Sequence, residues 1–263
     1  MGARPLLPEV GDRSAHALRG DYSRAHADYR VDQDPAAYRP DEHRRWRHLF
    51  ERQSALLPGR ACRAFVDSLA ALDCGTRIPD LERQGAHLSR LTGWRLVGVP
   101  GLIPDDAFFG HLACRRFPVT VWLRDATELD YIVEPDIFHD FFGHVPMLAV
   151  PAIADFIAAF GEACLRARGD EARRRLARLY WYTIEFGLVR EADGVRAYGA
   201  GLLSSPAELR HAIESPQAVH LPFDAMQVMA SEYRIDGFQS RYFVVESFET
   251  LFAEARRALS AAS

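Results

Sequence analysis

Apolar side chains recur every three or four residues in several stretches of the chain, which is the spacing of one face of an α-helix. The predicted helices run from Asp41 to just before Pro58, and over Cys62–Leu72, Ile153–Gly169, Asp170–Val189 and Phe248–Leu259, with a shorter one at Asp105–Leu112. Strand-like runs are short and lie at Trp94–Val99, Phe117–Leu123, Val195–Tyr198 and Tyr242–Val245. The pattern therefore predicts a mainly α fold of the α+β class, a single helical domain with short β strands.

Length and charge narrow the class of protein further. The chain has 263 residues, of which 48% are hydrophobic and 26% charged, enough for one domain that buries a site without disulfide bonds. Residues 1–20 are polar and show no periodicity, which predicts a disordered tail before a domain at 21–263. A net charge of −4 and a pI of about 6.2 favour neither nucleic acid nor an anionic membrane as a partner.

The cysteines and the distribution of apolar residues indicate the compartment. Cys62, Cys74, Cys114 and Cys164 lack CxxC spacing, which is typical of small buried thiols in a reducing compartment. No apolar leader stands near the N-terminus, and the most apolar stretch, 141–160, is interrupted by histidine, proline and aspartate. We therefore expect a cytoplasmic protein without a membrane span.

Two histidines stand five residues apart in the stretch EPDIFHDFFGHVPM. On an unbroken α-helix this spacing would turn His139 and His144 about 140° away from each other. Gly143, however, occupies the place of a helix C-terminal glycine, and Pro146 follows it. If the helix ends there, His144 can turn back towards His139; otherwise the two are unrelated histidines at a helix end.

A second segment places a carboxylate on an apolar helical face. The predicted buried face carries residues at i, i+3, i+4 and i+7: Trp181, Ile184, Glu185 and Leu188. A buried carboxylate without a partner costs several kcal/mol, roughly. Because the nearby Arg178 and Arg190 lie off this face, a cation shared with the two histidines would be a suitable partner.

Two histidines and one carboxylate with open coordination positions are the ligand set of non-haem Fe(II) oxygenases, in which O2 and a cosubstrate approach the metal. The same ligand types also suit a zinc hydrolase. The sequence lacks the HExxH motif that would place two zinc ligands and a general base on one helix. The pattern therefore favours an iron oxygenase and leaves zinc hydrolysis as the alternative.

At these residues the chain resembles a known family. The stretches EPDIFHDFFGHVPML, LARLYWYTIEFGLVRE and AYGAGLLSS are similar to those of the pterin-dependent aromatic amino acid hydroxylases, especially the compact bacterial phenylalanine 4-monooxygenases. The likeness runs in order through YRPDEHRRWRHLFERQ, LPGRAC, LTGWRLVGVPGLIPDDAFF and YRIDGFQSRYFVVESFETL. It implies the aromatic amino acid hydroxylase fold, with 21–263 as the catalytic domain.

The resemblance also implies the reaction. Fe(II), O2 and tetrahydrobiopterin or a related tetrahydropterin would hydroxylate the ring of L-phenylalanine to give L-tyrosine. A tryptophan hydroxylase and a phenylalanine 3-hydroxylase of the same family stay open as alternatives. The substrate choice of animal members cannot be transferred, because Ile132-Val133 replaces their Thr-Pro pair. The animal regulatory domain and oligomerisation helix have no counterpart here, which implies a monomer.

Roles are implied position by position. The iron ligands would be His139, His144 and Glu185. The residues that match the substrate site are Arg124 for the carboxylate, Asp136 behind it, Pro135, Trp181 and Phe186 around the ring, and Ser204 beside the first iron histidine. The residues that match the pterin site are Phe108, which would stack on the pterin, with Gly101, Leu102, Ile103, Asp140 and Tyr180.

Overall fold

The computed structural model describes residues 18–130, 132–235 and 237–261. Its α-helices are α1 (Pro40–Ser54), α2 (Arg63–Leu72), α3 (Leu81–Thr92), α4 (Asp105–Ala113), α5 (Pro151–Arg166), α6 (Gly169–Tyr180), α7 (Ala200–Leu203), α8 (Pro206–Glu214), α9 (Ala225–Ala230) and α10 (Phe248–Ala261). The strands are β1 (Arg95–Val99), β2 (Arg116–Thr120), β3 (Leu188–Glu191), β4 (Gly194–Ala197), β5 (Val219–Pro222) and β6 (Arg241–Val245). The predicted fold class, mainly helical with short strands, is confirmed.

The strands form two small sheets. β1 and β2 pair in parallel across the crossover helix α4. In the second sheet the order is β4-β3-β6-β5, with an antiparallel β3–β4 hairpin and parallel pairing of β6 to both β3 and β5. Sequence analysis missed β3 and β5, which have four residues each. It also missed α3, α7, α8 and α9, although Asp80, Ser205 and Asp224 cap three of them in the usual manner.

Aromatic side chains of α1 fix the segment that follows Ile137. Trp46 is fully buried and contacts Phe138 and Phe141 edge-on, with ring centroids 5.5 and 6.1 Å apart. Phe50, one turn further along α1, contacts Phe142 at 5.4 Å. The inward face of α1 therefore positions the segment that carries both histidines.

That segment is a π-helix, Phe138–His144, followed by a 3-10 turn over Val145–Ala149. Gly143 lies inside this π-helix, so the helix end considered at that residue does not occur. Gly143 instead lets the chain approach α7, since an added Cβ would lie 2.9 Å from the carbonyl oxygen of Ala200. In a π-helix the hydrogen bonds join residues five apart, so residues i and i+5 share a side.

A second π-turn, Trp181–Glu185, ends α6. The predicted helix over Asp170–Val189 is therefore wrong at its C-terminal end, because Leu188 and Val189 belong to β3. The N–H of Phe186 donates to the carbonyl of Trp181 at 2.8 Å, five residues back. Gly187 then allows the chain to leave the helix, since an added Cβ would clash with the carbonyl oxygen of Thr183.

Three further expectations concern the termini, the cysteines and membranes. Most of the predicted tail lies outside the described residues; Arg19, at its described end, pairs with Glu128. Three cysteines are buried as expected, but Cys114 is exposed. In the described ranges no single helix is long and apolar enough to cross a membrane, and one pair bent by 114°, Phe138–Ala149 with Pro151–Arg166, passes that test only together.

Close packing of α5 on α4 gives a stability prediction. A Cβ added to Gly161 would lie 2.6 Å from the backbone nitrogen of Ala113. We expect Gly161→Ala to destabilise the fold by about 1–3 kcal/mol because the two backbones must separate. Gly110→Ala on α4 is the matched control, with open space at its Cβ, and should stabilise by about 0.5–1 kcal/mol. Denaturant unfolding measures both; equal stabilities for the two variants would contradict the packing.

Candidate metal centre and aromatic pocket

The two π-turns bring three potential metal ligands together. His139 and His144 come from the first turn and Glu185 ends the second, and one ligand atom from each lies within 4.8 Å of the others. Nε2 of His144 is 3.2 Å from Oε1 of Glu185, and Nε2 of His139 is 3.7 Å from Oε2. The imidazole rings meet edge-on at 5.1 Å. The three ligand atoms are therefore close enough together to hold one metal ion.

Ser204, at the end of α7, determines the tautomer of His139. Its hydroxyl donates to the carbonyl oxygen of Ala200 at 2.8 Å, so its oxygen accepts from Nδ1–H of His139 at 2.9 Å. A neutral imidazole with the proton on Nδ1 has its lone pair on Nε2. Nε2 is the atom that faces Glu185, so its lone pair is oriented to bind a cation held between the two residues.

The electrostatics of the cluster keep the carboxylate charged and the imidazole neutral. Burial raises the pKa of Glu185, but the neighbouring His144 and hydrogen bonds from His144 and Tyr180 outweigh it and hold the pKa at about 2. Burial lowers the pKa of His139 below its ordinary value. The resulting anion beside a neutral imidazole is a donor set for a divalent cation.

These residues fit Fe(II), which takes imidazole and carboxylate ligands and keeps open positions for other partners. Without a cation, two imidazole Nε2 atoms would face one carboxylate. Zn(II) accepts the same donors, so the donor set alone does not distinguish the two metals.

Arg124 and Asp136 form a buried, two-pronged ion pair beside the cluster. Nε and Nη2 of Arg124 each donate to one carboxylate oxygen of Asp136 at 2.8 Å, and the two residues are 4% and 0% exposed. Asp136 also accepts from the backbone N–H of His139 at 3.0 Å. In the part of the chain that the structure describes, Nη1 of Arg124 has no hydrogen-bond partner. One nitrogen is therefore available for an anionic ligand.

Aromatic rings line the second π-turn. The ring centroids of Trp181 and Phe186 lie 4.6 Å apart. Tyr233 stacks on Trp181 with a centroid distance of 4.7 Å and an interplanar angle of 21°. Pro135 is partly buried and directly precedes Asp136 in the chain. Sequence analysis missed Tyr233, and only its place in the family-like stretch YRIDGFQSRYFVVESFETL pointed to it.

The residues expected at the pterin site fall into two groups. Phe108 is half-buried on α4 and contacts Tyr180 edge-on at 6.3 Å, and Tyr180 in turn hydrogen-bonds Glu185. Asp140 is held by the backbone N–H of Thr120 at 2.8 Å, and burial raises its pKa. Tyr180 therefore connects Phe108 to the metal-ligand cluster, and Asp140 lies in the π-helix that carries both histidines.

The loop Gly101–Ile103 forms the other group. The carbonyl of Leu102 accepts from the Tyr22 hydroxyl at 2.8 Å, and its N–H donates to Glu134 at 3.4 Å. No described hydrogen bond joins this loop directly to the three potential ligands. Sequence analysis did not single out Tyr22 or Glu134, which follow no recognisable spacing.

A family model and the sequences of similar proteins point to the same enzyme family. A family model described as biopterin-dependent aromatic amino acid hydroxylase matches residues 7–261. Phenylalanine-4-hydroxylase of Chromobacterium violaceum is 46% identical over 248 residues, which are 94% of this chain and 82% of that protein. The enzyme of the same name from Mesorhizobium japonicum is 50% identical over 91% of this chain and 87% of its own length.

Solved structures of the C. violaceum enzyme share the fold. The form with bound Fe(III) has a TM-score of 0.87 at 46% identity, covering 90% of this chain and 87% of that one. A form with iron(III) and 7,8-dihydrobiopterin has a TM-score of 0.86 at 47% identity, with the same coverage. A form with iron and phenylalanine has a TM-score of 0.82 at 44% identity, covering 91% of each chain.

The metal cluster gives the next prediction. We expect the wild type to bind one iron, and His139→Ala, His144→Ala and Glu185→Ala each to lose it, because two protein ligands hold the ion far more weakly than three. His48→Ala, which removes an exposed histidine of α1, is the control and should keep full stoichiometry. Metal analysis after desalting measures all four. A cluster variant that retains a full equivalent of iron would remove that residue from the ligand set.

Proposed function

Because the chain belongs to the biopterin-dependent aromatic amino acid hydroxylases, we propose that it hydroxylates L-phenylalanine to L-tyrosine with O2, Fe(II) and tetrahydrobiopterin or a related tetrahydropterin. The observation that carries the proposal is the cluster of His139, His144 and Glu185, with an Nε2 lone pair facing a carboxylate. The C. violaceum enzyme, whose structure holds iron and phenylalanine, is the relative that supports this substrate.

His139, His144 and Glu185 would hold the iron. When bound with the reduced pterin, this iron supplies the activation of O2 for insertion into the aromatic ring. Ser204 keeps the proton of His139 on Nδ1, away from the metal side. Such partners fix the orientation and basicity of a ligating imidazole. The protein needs no general base for this chemistry, since its residues position the reactants.

Arg124 would bind the carboxylate of the amino acid through Nη1, while Asp136 holds the other two guanidinium nitrogens. Phe138 lies under the guanidinium at 5.5 Å and adds a cation–π contact. Trp181, Phe186 and Pro135 would surround the substrate ring. An apolar pocket of this kind excludes water from the reacting centre.

The pterin would stack on Phe108, with the backbone of Gly101, Leu102 and Ile103 at its other edge. Tyr180 and Asp140 would lie between the pterin and the metal. In support, Tyr180 contacts both the ring of Phe108 and the carboxylate of Glu185. Two cosubstrates bound on different sides would then meet at one ion.

The test is product analysis by mass spectrometry and NMR after incubation with Fe(II), tetrahydropterin and each aromatic amino acid under 18O2. L-Tyrosine carrying one 18O atom is expected from L-phenylalanine. The meta isomer would favour a phenylalanine 3-hydroxylase, and a hydroxytryptophan would favour a tryptophan hydroxylase. Activity with Zn(II) and no O2 uptake would favour a hydrolase.

Residues 21–263 would constitute the catalytic domain, and the expectation of a monomer stays a prediction. Light scattering coupled to size-exclusion chromatography would measure a mass of 29.6 kDa for a monomer.

The Arg124–Asp136 pair gives a prediction for substrate binding. Arg124→Met should weaken amino acid binding by about 1.5–3 kcal/mol, the loss of a charge-assisted hydrogen bond, with a much smaller effect on the pterin. Arg115→Met, which removes the partner of Asp155 in a half-exposed pair, is the control and should leave both KM values near wild type. An unchanged KM for the amino acid in Arg124→Met would exclude Arg124 from the substrate site.

Phe108 and Phe109 differ in burial and give a matched pair of variants. Phe108→Ala should raise the KM for the pterin several-fold and uncouple its oxidation from product formation, because stacking contributes about 0.5–1.5 kcal/mol. Phe109 is 1% exposed, so Phe109→Ala should destabilise the fold by about 3–5 kcal/mol. Steady-state kinetics and thermal melts separate the two effects. A pterin KM that stays at the wild-type value in Phe108→Ala would mean that the pterin stacks elsewhere.

A further inference from the structure

The segment between α9 and β6 carries Tyr233, the ring that stacks on Trp181. Tyr233 is partly buried and lies in irregular backbone, so neither a helix nor a strand fixes its position. Trp181 opens the π-turn that ends at Glu185. The position of the Tyr233 ring therefore depends on what holds the irregular backbone around it.

Gln239 holds that backbone through its side-chain amide. Its Oε1 accepts from the N–H of Arg234 at 3.1 Å, and its Nε2 donates to the carbonyl of Arg234 at 2.6 Å. The same Nε2 lies 3.5 Å from the carbonyl of Gly237. One amide thus bonds both backbone groups of the residue that follows Tyr233. Gln239 is 2% exposed, so water does not compete for these bonds.

Gln239 is itself fixed by a buried carboxylate on α8. Oε1 of Glu208 accepts from the backbone N–H of Gln239 at 3.1 Å and from the hydroxyl of Tyr242 at 2.8 Å. Glu208 is 8% exposed and Tyr242 is fully buried. Helix α8 follows closely on α7, whose C-terminal cap is Ser204. The support of Tyr233 is therefore continuous with the element that orients His139.

The chain before Tyr233 is held separately. The hydroxyl of Tyr182 donates to the carbonyl of Glu232 at 2.6 Å, and Arg178 pairs with the Glu232 side chain. Tyr182 belongs to the same π-turn as Trp181. Glu232 and Arg234, the two neighbours of Tyr233 in the chain, are thus both held by backbone hydrogen bonds. The ring of Tyr233 stacks on Trp181.

We propose that Gln239, backed by Glu208, is a positioning residue for the aromatic substrate: it holds Tyr233 against Trp181 and so sets the wall of the ring-binding pocket. This inference rests on the proposed function, since it assigns the Trp181 ring to the pocket of an aromatic amino acid. The described hydrogen bonds of Gln239 involve neither the iron ligands nor Phe108. A variant of Gln239 therefore separates effects on amino acid binding from effects on the metal and the pterin.

The test compares two buried amides. Gln239→Met keeps the length of the side chain and removes its hydrogen bonds to Arg234. Gln84→Met is the control, because Gln84 is 6% exposed and donates to the carbonyl of Leu72, at the end of α2. Calorimetry measures the Kd of L-phenylalanine for the iron-loaded proteins, kinetics gives the pterin KM, and melting curves give the Tm.

We expect both variants to lose stability, and only Gln239→Met to bind L-phenylalanine more weakly, by about two- to tenfold, the range for one lost aromatic contact. Its iron content and pterin KM should match the wild type. A wild-type Kd in Gln239→Met together with a lowered Tm would show a merely structural role and overturn the inference.

A double-mutant cycle tests whether Gln239 acts through Tyr233. Tyr233→Ala should weaken L-phenylalanine binding, and adding Gln239→Met to it should weaken binding no further, because coupled residues are not additive. Additive effects would overturn the inference. If the wild type itself neither binds nor hydroxylates any aromatic amino acid, the proposed function fails; if the wild type does both and the variants match it, only this inference fails.

Discussion

The charge of the Glu185 carboxylate is the constraint on which the rest of the structure depends. Glu185 lies beside Tyr180 and two histidines in a largely buried position, where an unmatched anion would cost several kcal/mol, roughly. Its side-chain exposure is only 13%. Both π-turns contribute to this arrangement, since one carries the carboxylate and the other places two imidazoles opposite it. The metal proposed for this cluster is therefore also a stabilising part of the fold.

A second carboxylate couples the metal cluster to the substrate site. Asp136 accepts the backbone N–H of His139 with the same oxygen that receives Nη2 of Arg124. The arginine proposed to bind the substrate and the turn that carries two metal ligands are thus held by one buried group. A fixed distance between the bound carboxylate and the metal follows, which is what positioning a ring carbon for oxygen insertion requires.

The sequence predicted helix α1 and the fold class because long periodic apolar stretches determine them. It also singled out His139, His144 and Glu185, yet by reasoning that was wrong in its geometry. The α-helical spacing assumed for Trp181 to Leu188 does not exist, and the chain does not end a helix at Gly143. The local sequence did not predict these rare π-turns, since they depend on neighbours distant in sequence, such as Ala200 against Gly143. Tyr233 was missed for the same reason, because long-range hydrogen bonds from Gln239 place it.

The proposed iron site combines ligands from both π-turns, with His139 oriented by Ser204. Anomalous diffraction at the iron edge from crystals of the iron-loaded protein tests it most directly. We expect a single iron peak, with the ion bonded to Nε2 of His139, Nε2 of His144 and the carboxylate of Glu185. Nδ1 of His139 should still be hydrogen-bonded to Ser204. An iron peak elsewhere, or one bonded through Nδ1 of His139, would contradict it.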